Sequence, residues 1–171
     1  IAPNVRITID PGVQVLTNTT NSSLTVHGEF WSLGTSSSRV YIGPNPTLAW
    51  SSTSGWWGGM RSNSPYGGQD ALRLHNTTMS APTGYGYLCT WCSPVTWSWS
   101  SSNTMLDTYG FGRQNGEVDL DNVTLQNANQ VSLSNQESYT SEWRVVNLLL
   151  DNLSYVNFDD DRFNDWCRGS F

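Results

Sequence analysis

The sequence predicts an all-β fold, an antiparallel β-sandwich with little or no helix. Short segments in which apolar and polar residues alternate recur along the chain, separated by Gly, Pro, Asn and Ser. Strong helix formers are scarce, and no segment keeps an apolar stripe with the helical period of 3.6 residues. About a dozen short strands at regular spacing are typical of a sandwich or a barrel.

The predicted strands in chain order are 6–9, 13–16, 24–31, 39–42, 47–50, 71–76, 85–92, 95–100, 108–113, 117–126, 130–133 and 143–158. An Asp-Pro-Gly turn at 10–12 separates the first two strands, and a Gly-Pro-Asn-Pro turn at 43–46 separates 39–42 from 47–50. Residues 142–150 could also form a helix. Their β-branched Val145 and Val146 favour one long buried strand instead.

Length and composition indicate one folded domain, residues 1–171. The chain has 171 residues, of which 37% are hydrophobic and only 13% are charged. Low charge is also found in disordered chains, but those are poor in aromatic and β-branched residues. This chain has nine Trp, seven Tyr and five Phe, and no linker or change of composition divides it. We therefore expect a single domain with a real hydrophobic core.

The charge distribution argues against nucleic acid as a partner. The chain contains no lysine, its eight arginines are scattered, and its net charge is −6. Phosphate backbones and acidic membrane surfaces require a basic patch, which this composition does not offer. No apolar run approaches about 20 residues, so no membrane insertion is expected.

The chain begins at Ile1 without a methionine, as a mature secreted product or a trimmed chain would, and we expect a secreted or surface-displayed protein. Five Asn-x-Ser/Thr sequons allow for a glycoprotein, although roughly four would arise by chance in a chain so rich in these residues. The sequons are at Asn18, Asn21, Asn76, Asn122 and Asn152.

Three cysteines, Cys89, Cys92 and Cys167, leave one thiol unpaired if a single disulfide forms. The sequence predicts a disulfide from Cys167 to Cys89 or Cys92, which would attach the C-terminal segment to the domain. The alternative is a zinc site, because a C-x-x-C pair and a distant cysteine supply three ligands. His75 is the only candidate for a fourth ligand nearby in sequence.

Two adjacent tryptophans, Trp56 and Trp57, lie in a stretch of Gly and Ser without a strand pattern to bury them. An aromatic plane can stack on the apolar face of a sugar, while planar amides, carboxylates and guanidinium groups bind its hydroxyls. The sequence therefore predicts a ligand-binding site here, unless one indole instead closes over the core. The predicted ligand-binding residues are Trp56, Trp57, Arg61, Asn63, Tyr66, Gln69 and Asp70.

A second aromatic segment is predicted as a hairpin over 85–100. Tyr85, Tyr87 and Trp91 share one face of its first strand, and Trp97 and Trp99 share one face of the second. Such a ladder usually packs on the core side of a sandwich. A binding surface is the alternative.

Two segments of the sequence echo each other in the pattern D-N-[VL]-[ST]-[LY], at 121–125 and at 151–155. The second resembles the closing strand of secreted jelly-roll domains, including carbohydrate-binding modules and lectin-like sandwiches. The resemblance covers five residues each time and implies a jelly-roll arrangement of the strands. It also implies a structural Ca²⁺ near a sheet edge, for which the nearby acidic cluster offers oxygen ligands, unless that cluster is a solvated turn. The cluster is Asp159, Asp160 and Asp161.

No catalytic residues are predicted. Hydrolysis of a glycosidic bond needs two carboxylates on opposite sides of a sugar, and Glu29 is the most plausible single acid. There is no G-x-S-x-G motif, and His27 and His75 support no catalytic triad.

The sequence therefore predicts non-catalytic carbohydrate binding, as a lectin, an adhesin domain or a polysaccharide-binding module. A small secreted glycoside hydrolase is one alternative. A self-associating structural protein of a surface layer, appendage or virion is another.

Overall fold

A computed structural model describes residues 1–2, 4–17, 22–47, 57–62, 71–80, 104–107, 117–127, 130–135, 142–153 and 155–160. These residues form strands and connections without a helix, so the all-β prediction is confirmed for them. No helix in these ranges is long and apolar enough to cross a membrane. The strands are β1 (Arg6–Ile9), β2 (Gln14–Thr17), β3 (Ser22–Val26), β4 (Glu29–Leu33), β5 (Val40–Pro44), β6 (Trp57–Ser62), β7 (Ala71–Ser80), β8 (Thr104–Asp107), β9 (Glu117–Gln126), β10 (Gln130–Asn135), β11 (Glu142–Asp151) and β12 (Tyr155–Asp160).

Every pairing between these strands is parallel, so the predicted antiparallel sandwich, and with it the jelly roll, is wrong. One sheet has seven strands and the other has five. In the seven-stranded sheet β4 and β9 both pair with β7. Alternation of apolar and polar residues shows that one side of a strand is buried, but it carries no information about the direction of the neighbouring strand.

The parallel strands are successive turns of a solenoid with five coils. Each coil contributes strands to both sheets: β1–β3, β4–β6, β7–β8, β9–β10 and β11–β12. Equivalent residues in neighbouring coils are 23 positions apart between Arg6 and Glu29 and 25 apart between Asp119 and Arg144. The spacing is 42 positions between Gly34 of coil 2 and Asn76 of coil 3, and 46 positions between Asn76 and Asn122 of coil 4. Coils 2 and 3 are therefore enlarged by insertions into a basic repeat of about 24 residues.

Three faces surround the core. We call the face formed by β1, β4 and the N-terminal halves of β7, β9 and β11 the first face. The second face contains β2, β5 and the C-terminal halves of the same three long strands. The third face is the five-stranded sheet of β3, β6, β8, β10 and β12.

Asparagines mark the corner between the first and second faces. Asn76, Asn122 and Asn147 have φ values of 44°, 55° and 53°, in the left-handed region that Asn tolerates better than most residues. At this point the alternation of buried residues in β9 changes phase, because Asp121 and Asn122 are both half-buried. Each asparagine thus turns the chain from one face to the next.

Side chains stacked at this corner join the coils. Asn122 Nδ2 donates a hydrogen bond to Asn76 Oδ1 at 2.6 Å, and Asn76 Nδ2 donates to the carbonyl of Gly34 at 3.0 Å. Gly34 is required in coil 2, because a Cβ atom there would lie 2.4 Å from the carbonyl oxygen of Asn76. Asn127 and Asn152 form a similar pair at the next corner, with Nδ2 of Asn152 2.9 Å from Oδ1 of Asn127.

The core consists of rows of aliphatic side chains stacked from coil to coil. Leu74 of β7 pairs with Leu120 of β9, and neither is exposed. One polar pair interrupts these rows, Ser32 and Thr77, whose hydroxyl oxygens are 2.6 Å apart. Thr77 also donates to the carbonyl of His75, so both buried hydroxyl groups are satisfied. The fully buried large side chains are Phe30, Ile42, Leu72, Leu74, Met79, Leu120 and Leu125.

Coil 1 lies at one end of both sheets and is less buried. β1 and β2 end the order of the seven-stranded sheet, and β3 ends that of the five-stranded sheet. Four of the five exposed large hydrophobic residues in the described part of the chain therefore belong to this coil: Val5, Ile7, Val13 and Leu16.

Candidate functional site

The outer side of the first face carries most of the ionic contacts of the described residues. It begins with Trp31 of β4, which lies between β1 and β7. The guanidinium carbon of Arg6 is 3.6 Å from the centroid of the Trp31 ring, and that of Arg73 is 4.3 Å away. These cation–π contacts come from the strands on the two sides of β4.

Both arginines are also paired with carboxylates of a neighbouring coil. Arg6 Nε is 2.7 Å from Glu29 Oε2. Arg73 forms a two-pronged contact with Glu117, in which its Nη2 atom is 2.7 Å from Oε2 and its Nε atom contacts Oε1. This fork matches the planar geometry of a carboxylate, and it raises the pKa of Arg73.

A second cluster joins His75, Asp119, Asp121 and Arg144 from three consecutive coils. His75 Nε2 is 2.7 Å from Asp119 Oδ2, and Arg144 Nη1 is 2.7 Å from Asp119 Oδ1. Arg144 Nη2 also binds Asp121 Oδ2 at 2.8 Å. Both oxygens of Asp119 are therefore held by partners from the strands on its two sides.

The pKa of Asp119 is lower than usual. Burial alone would raise the pKa, but the hydrogen bonds and charges of His75 and Arg144 outweigh it. The same contacts, with Asp121 first and Asp119 second, raise the pKa of Arg144. Asp119 is therefore a fixed negative charge at neutral pH.

Acidic and basic residues alternate from coil to coil in one row of the first face. In one row, Arg73 of β7 pairs with Asp119 of β9, which pairs with Arg144 of β11. Parallel strands in register bring equivalent positions into contact, so equal charges there would repel each other. The alternation also fixes the register, because a shift by one residue would break these pairs.

A second candidate region is the corner between the second and third faces, where coils 2 and 3 are enlarged. Ile42 pairs with Met79 shortly before the chain leaves each coil, and Met60 pairs with Leu106 after it returns. The connections at this corner are 45–56 in coil 2 and 81–103 in coil 3, against 127–129 in coil 4 and 152–154 in coil 5. The two insertions therefore begin and end side by side.

The insertions carry much of the chain's aromatic content. Five of the nine tryptophans lie in them, together with two tyrosines. These residues are Trp50, Trp56, Tyr85, Tyr87, Trp91, Trp97 and Trp99. Topology thus brings the attachment points of both sequence-predicted aromatic segments to neighbouring coils.

The predicted ligand-binding residues are only partly within the described ranges. Trp57 begins β6 and Arg61 lies within it, where its Cα atom is paired with those of Thr25 and Asp107. The prediction that Trp56 and Trp57 lie outside any strand is therefore wrong for Trp57, which begins a strand of the third face. Trp56, Asn63, Tyr66, Gln69 and Asp70 lie outside the described residues.

The metal and disulfide predictions remain untested. Asp159 and Asp160 end β12, where they pair with Ser134 and Asn135 of β10. Asp161 and the three cysteines lie outside the described residues. Within the described ranges, no group of three or more His, Cys, Asp and Glu side chains is placed to hold a metal ion.

Comparisons with protein-family models, with curated proteins and with solved structures find no match to this chain. What it can bind is therefore inferred from its own topology and side chains.

Sequence reasoning missed the cluster on the first face, although a signal for it exists. The segments 74–79, 120–125 and 145–150 each place Asn third, between apolar residues that face the core. Aligning these three segments brings His75 beside Asp121 and Arg73 beside Asp119 and Arg144. Insertions of unequal length hide this repeat from a search for a constant period.

Proposed function

We propose that this protein binds a glycan, without catalysis, at the corner between the second and third faces in coils 2 and 3. The observation that carries the proposal is the pairing of Ile42 with Met79 and of Met60 with Leu106, which bracket both aromatic insertions. Trp56 and Trp57 stand where the first insertion rejoins the third face. Aromatic rings attached to adjacent coils supply a stacking surface longer than one sugar unit.

The solenoid suits an extended ligand. Neighbouring parallel strands are about 4.8 Å apart, so equivalent positions repeat at that interval along the axis. Groups attached to coils 2 and 3 can therefore contact successive units of one chain. The acidic composition and the absence of lysine favour an uncharged ligand over a polyanion. As a secreted or surface-displayed protein, the chain would meet such polymers outside the cell.

A glycosidase is disfavoured by the contacts of the described carboxylates. Asp119 and Asp121 lie on the same side of one strand and share Arg144. Glu29 and Glu117 are paired with Arg6 and Arg73. A general acid must keep its proton near neutral pH, and the lowered pKa of Asp119 is opposed to that role.

Separate Trp56→Ala and Trp57→Ala variants test the proposal in titrations against a panel of soluble neutral oligosaccharides. Loss of a stacking ring should weaken binding by about 1–3 kcal/mol, roughly 5- to 150-fold. The control is Leu149→Ala, which removes an exposed side chain of coil 5 that lies outside the corner. The proposal is wrong if the wild type binds no glycan, or if both tryptophan variants bind as tightly as the wild type.

A further inference from the structure

We infer that the outer side of the first face is a second glycan site, centred on His75, which recognises hydroxyl groups of an uncharged sugar chain. The inference rests on the proposed function for the class of ligand. The site itself is independent of the aromatic insertions, because it consists of β4, β7, β9 and β11.

His75 leaves one ring nitrogen, Nδ1, for a ligand hydroxyl group to bind. Its Nε2 atom faces Asp119 Oδ2 at 2.7 Å, and an ionised carboxylate only accepts, so Nε2 carries the proton. Nδ1 is then an acceptor in the neutral ring and a donor in the charged ring, and a hydroxyl group can pair with either form. No hydrogen bond occupies Nδ1 in the described part of the chain, and the His75 side chain is 32% exposed.

Asp119 fixes the orientation of this ring. Its second oxygen is held by Arg144, so the carboxylate cannot rotate away without breaking a charged hydrogen bond. Hydroxyl binding therefore requires no rearrangement of His75, and little conformational entropy is lost on binding.

Trp31 adds a donor to the same face. Its indole Nε1 is buried and is the only such side-chain nitrogen or oxygen in the described residues without a hydrogen-bond partner. Trp31 and His75 lie on neighbouring strands, β4 and β7, two positions apart in register. An unpaired buried donor is unfavourable, so a small movement of Arg6 or Arg73 that admits a ligand oxygen would relieve it.

The charges of the face favour an uncharged ligand. Its three described arginines are all paired, Arg6 with Glu29, Arg73 with Glu117, and Arg144 with both Asp119 and Asp121. Each arginine side chain described on this face is paired with a carboxylate, so these arginines offer no unpaired cation to a uronate or a sulfated sugar. Hydroxyl groups can still bind the exposed edges of these pairs, because they both donate and accept.

The test is calorimetric titration of the wild type with the neutral hexasaccharide that binds best in the panel, and with a hexagalacturonate. The wild type should show two sites for the neutral ligand. His75→Phe keeps a ring of similar size but removes Nδ1. The variant protein should show only one site, or its affinity at the His75 site should fall about three- to tenfold. The control is His27→Phe, which changes the other, half-buried histidine near the corner of coil 1.

A second readout separates hydrogen bonding from a structural role. The ¹⁵N resonance of His75 Nδ1 should shift when the neutral ligand is added. Without the ligand, the same resonance should not change. If His75→Phe does not fold, as judged by its melting curve, His75→Gln replaces it.

The outcomes distinguish the two proposals. If the tryptophan variants lose all binding while His75→Phe binds normally, the first-face site is wrong and the insertion corner stands. If His75→Phe loses the only site, the insertion corner is wrong. Tighter binding of hexagalacturonate than of the neutral ligand would overturn the inference from charge, and no binding by the wild type would overturn both.

Discussion

Asn122 Nδ2 donates a hydrogen bond to Asn76 Oδ1 across two neighbouring coils, over a distance of 2.6 Å. Both residues have positive φ values at the same corner of the solenoid. One residue type thus meets two requirements, a left-handed backbone and an amide that both donates and accepts.

Two substitutions at Asn122 separate these requirements. Asn122→Gly keeps the left-handed backbone and should lose about 0.5–1.5 kcal/mol of unfolding free energy with the side-chain hydrogen bond. Asn122→Ala should lose about 1–2 kcal/mol more, because a Cβ atom is unfavourable at φ 55° without a compensating contact. Urea denaturation measures both. Equal stability of the two variants would show that the corner relaxes to another backbone conformation.

Arg39 of coil 2 contacts both coil 3 and coil 4 beside the same corner. Its Nη2 atom donates to the carbonyls of Thr77 and Asn122 at 3.0 and 2.9 Å, and Nη2 and Nε contact the hydroxyl groups of Thr124 and Thr78. Arg39→Met keeps the aliphatic length but leaves these carbonyls without the donor. We expect a loss of about 2–4 kcal/mol in denaturation experiments.

Arg6→Met is the matched control for Arg39→Met. It removes an ion pair to Glu29 in which the Arg6 side chain is 48% exposed, and exposed pairs contribute about 0–1 kcal/mol. A loss as large as that of Arg39→Met would show that the contact with Trp31 matters more than the pairing of coils by Arg39.

Acid should remove the contribution of Asp119 to stability. Its pKa is lower in the folded protein than the unfolded value of 3.8, so its contribution is present above that value and is lost as the pH falls through the folded pKa. The difference in unfolding free energy between the wild type and Asp119→Asn should therefore be constant near neutral pH and shrink below about pH 4. A difference that does not change between pH 6 and pH 2 would contradict the cluster with His75 and Arg144.

Two leucines test the division between the inside and the outside of the solenoid. Leu120 is fully buried in β9, and Leu149 in β11 is 57% exposed. Leu120→Ala should cost about 2–5 kcal/mol, because it leaves a cavity between stacked rows. Leu149→Ala should change the unfolding free energy by about 0.5 kcal/mol or less. Thermal or chemical denaturation compares them, and similar costs would argue against the parallel register of β9 and β11.

Two of the five sequons should remain unmodified in a host that glycosylates proteins. The Nδ2 atoms of Asn76 and Asn122 are the atoms to which a glycan would be attached, and both donate hydrogen bonds between coils. A glycan there would have to enter the stacked corner. Mass spectrometry of peptides from the folded protein expressed in that host should find both residues free of glycan, and substantial occupancy of either would contradict the stacked asparagines at this corner.

The sequence predicts strands far better than it predicts their arrangement. The bounds of β1 and β9 agree with the predicted 6–9 and 117–126, because alternation is regular there. Residues 24–31, predicted as one strand, are broken at His27 and Gly28, where the chain turns from the third to the first face. A Cβ atom at Gly28 would lie 2.4 Å from the carbonyl oxygen of Val5, a contact with another part of the chain that a local pattern cannot reveal.

The ionic cluster is not visible in any local sequence pattern, because its members are distant in sequence. His75 and Asp119 are separated by 44 positions, and the insertions in coils 2 and 3 make each spacing different. The echo between 121–125 and 151–155 was real as a local pattern, since Asn122 and Asn152 both have positive φ. Asn122 and Asn152 lie at different corners of the solenoid, however. The pattern therefore predicts a closing strand instead of the repeat that relates the coils.

Coils 2 and 3 show that a solenoid can carry long surface insertions with little loss of stability. The free energy of closing a flexible connection rises by only about 0.6 kcal/mol for each doubling of its length. A long insertion at one corner therefore has little effect on the stability of the coils. The described strands of each coil pair only with those of the coils before and after it, so nearest-neighbour contacts contribute most of the stability. A ligand bound between coils 2 and 3 would stabilise the contact between these two coils. Hydrogen exchange of their backbone amides should then become slower, while the outer coils continue to open and close.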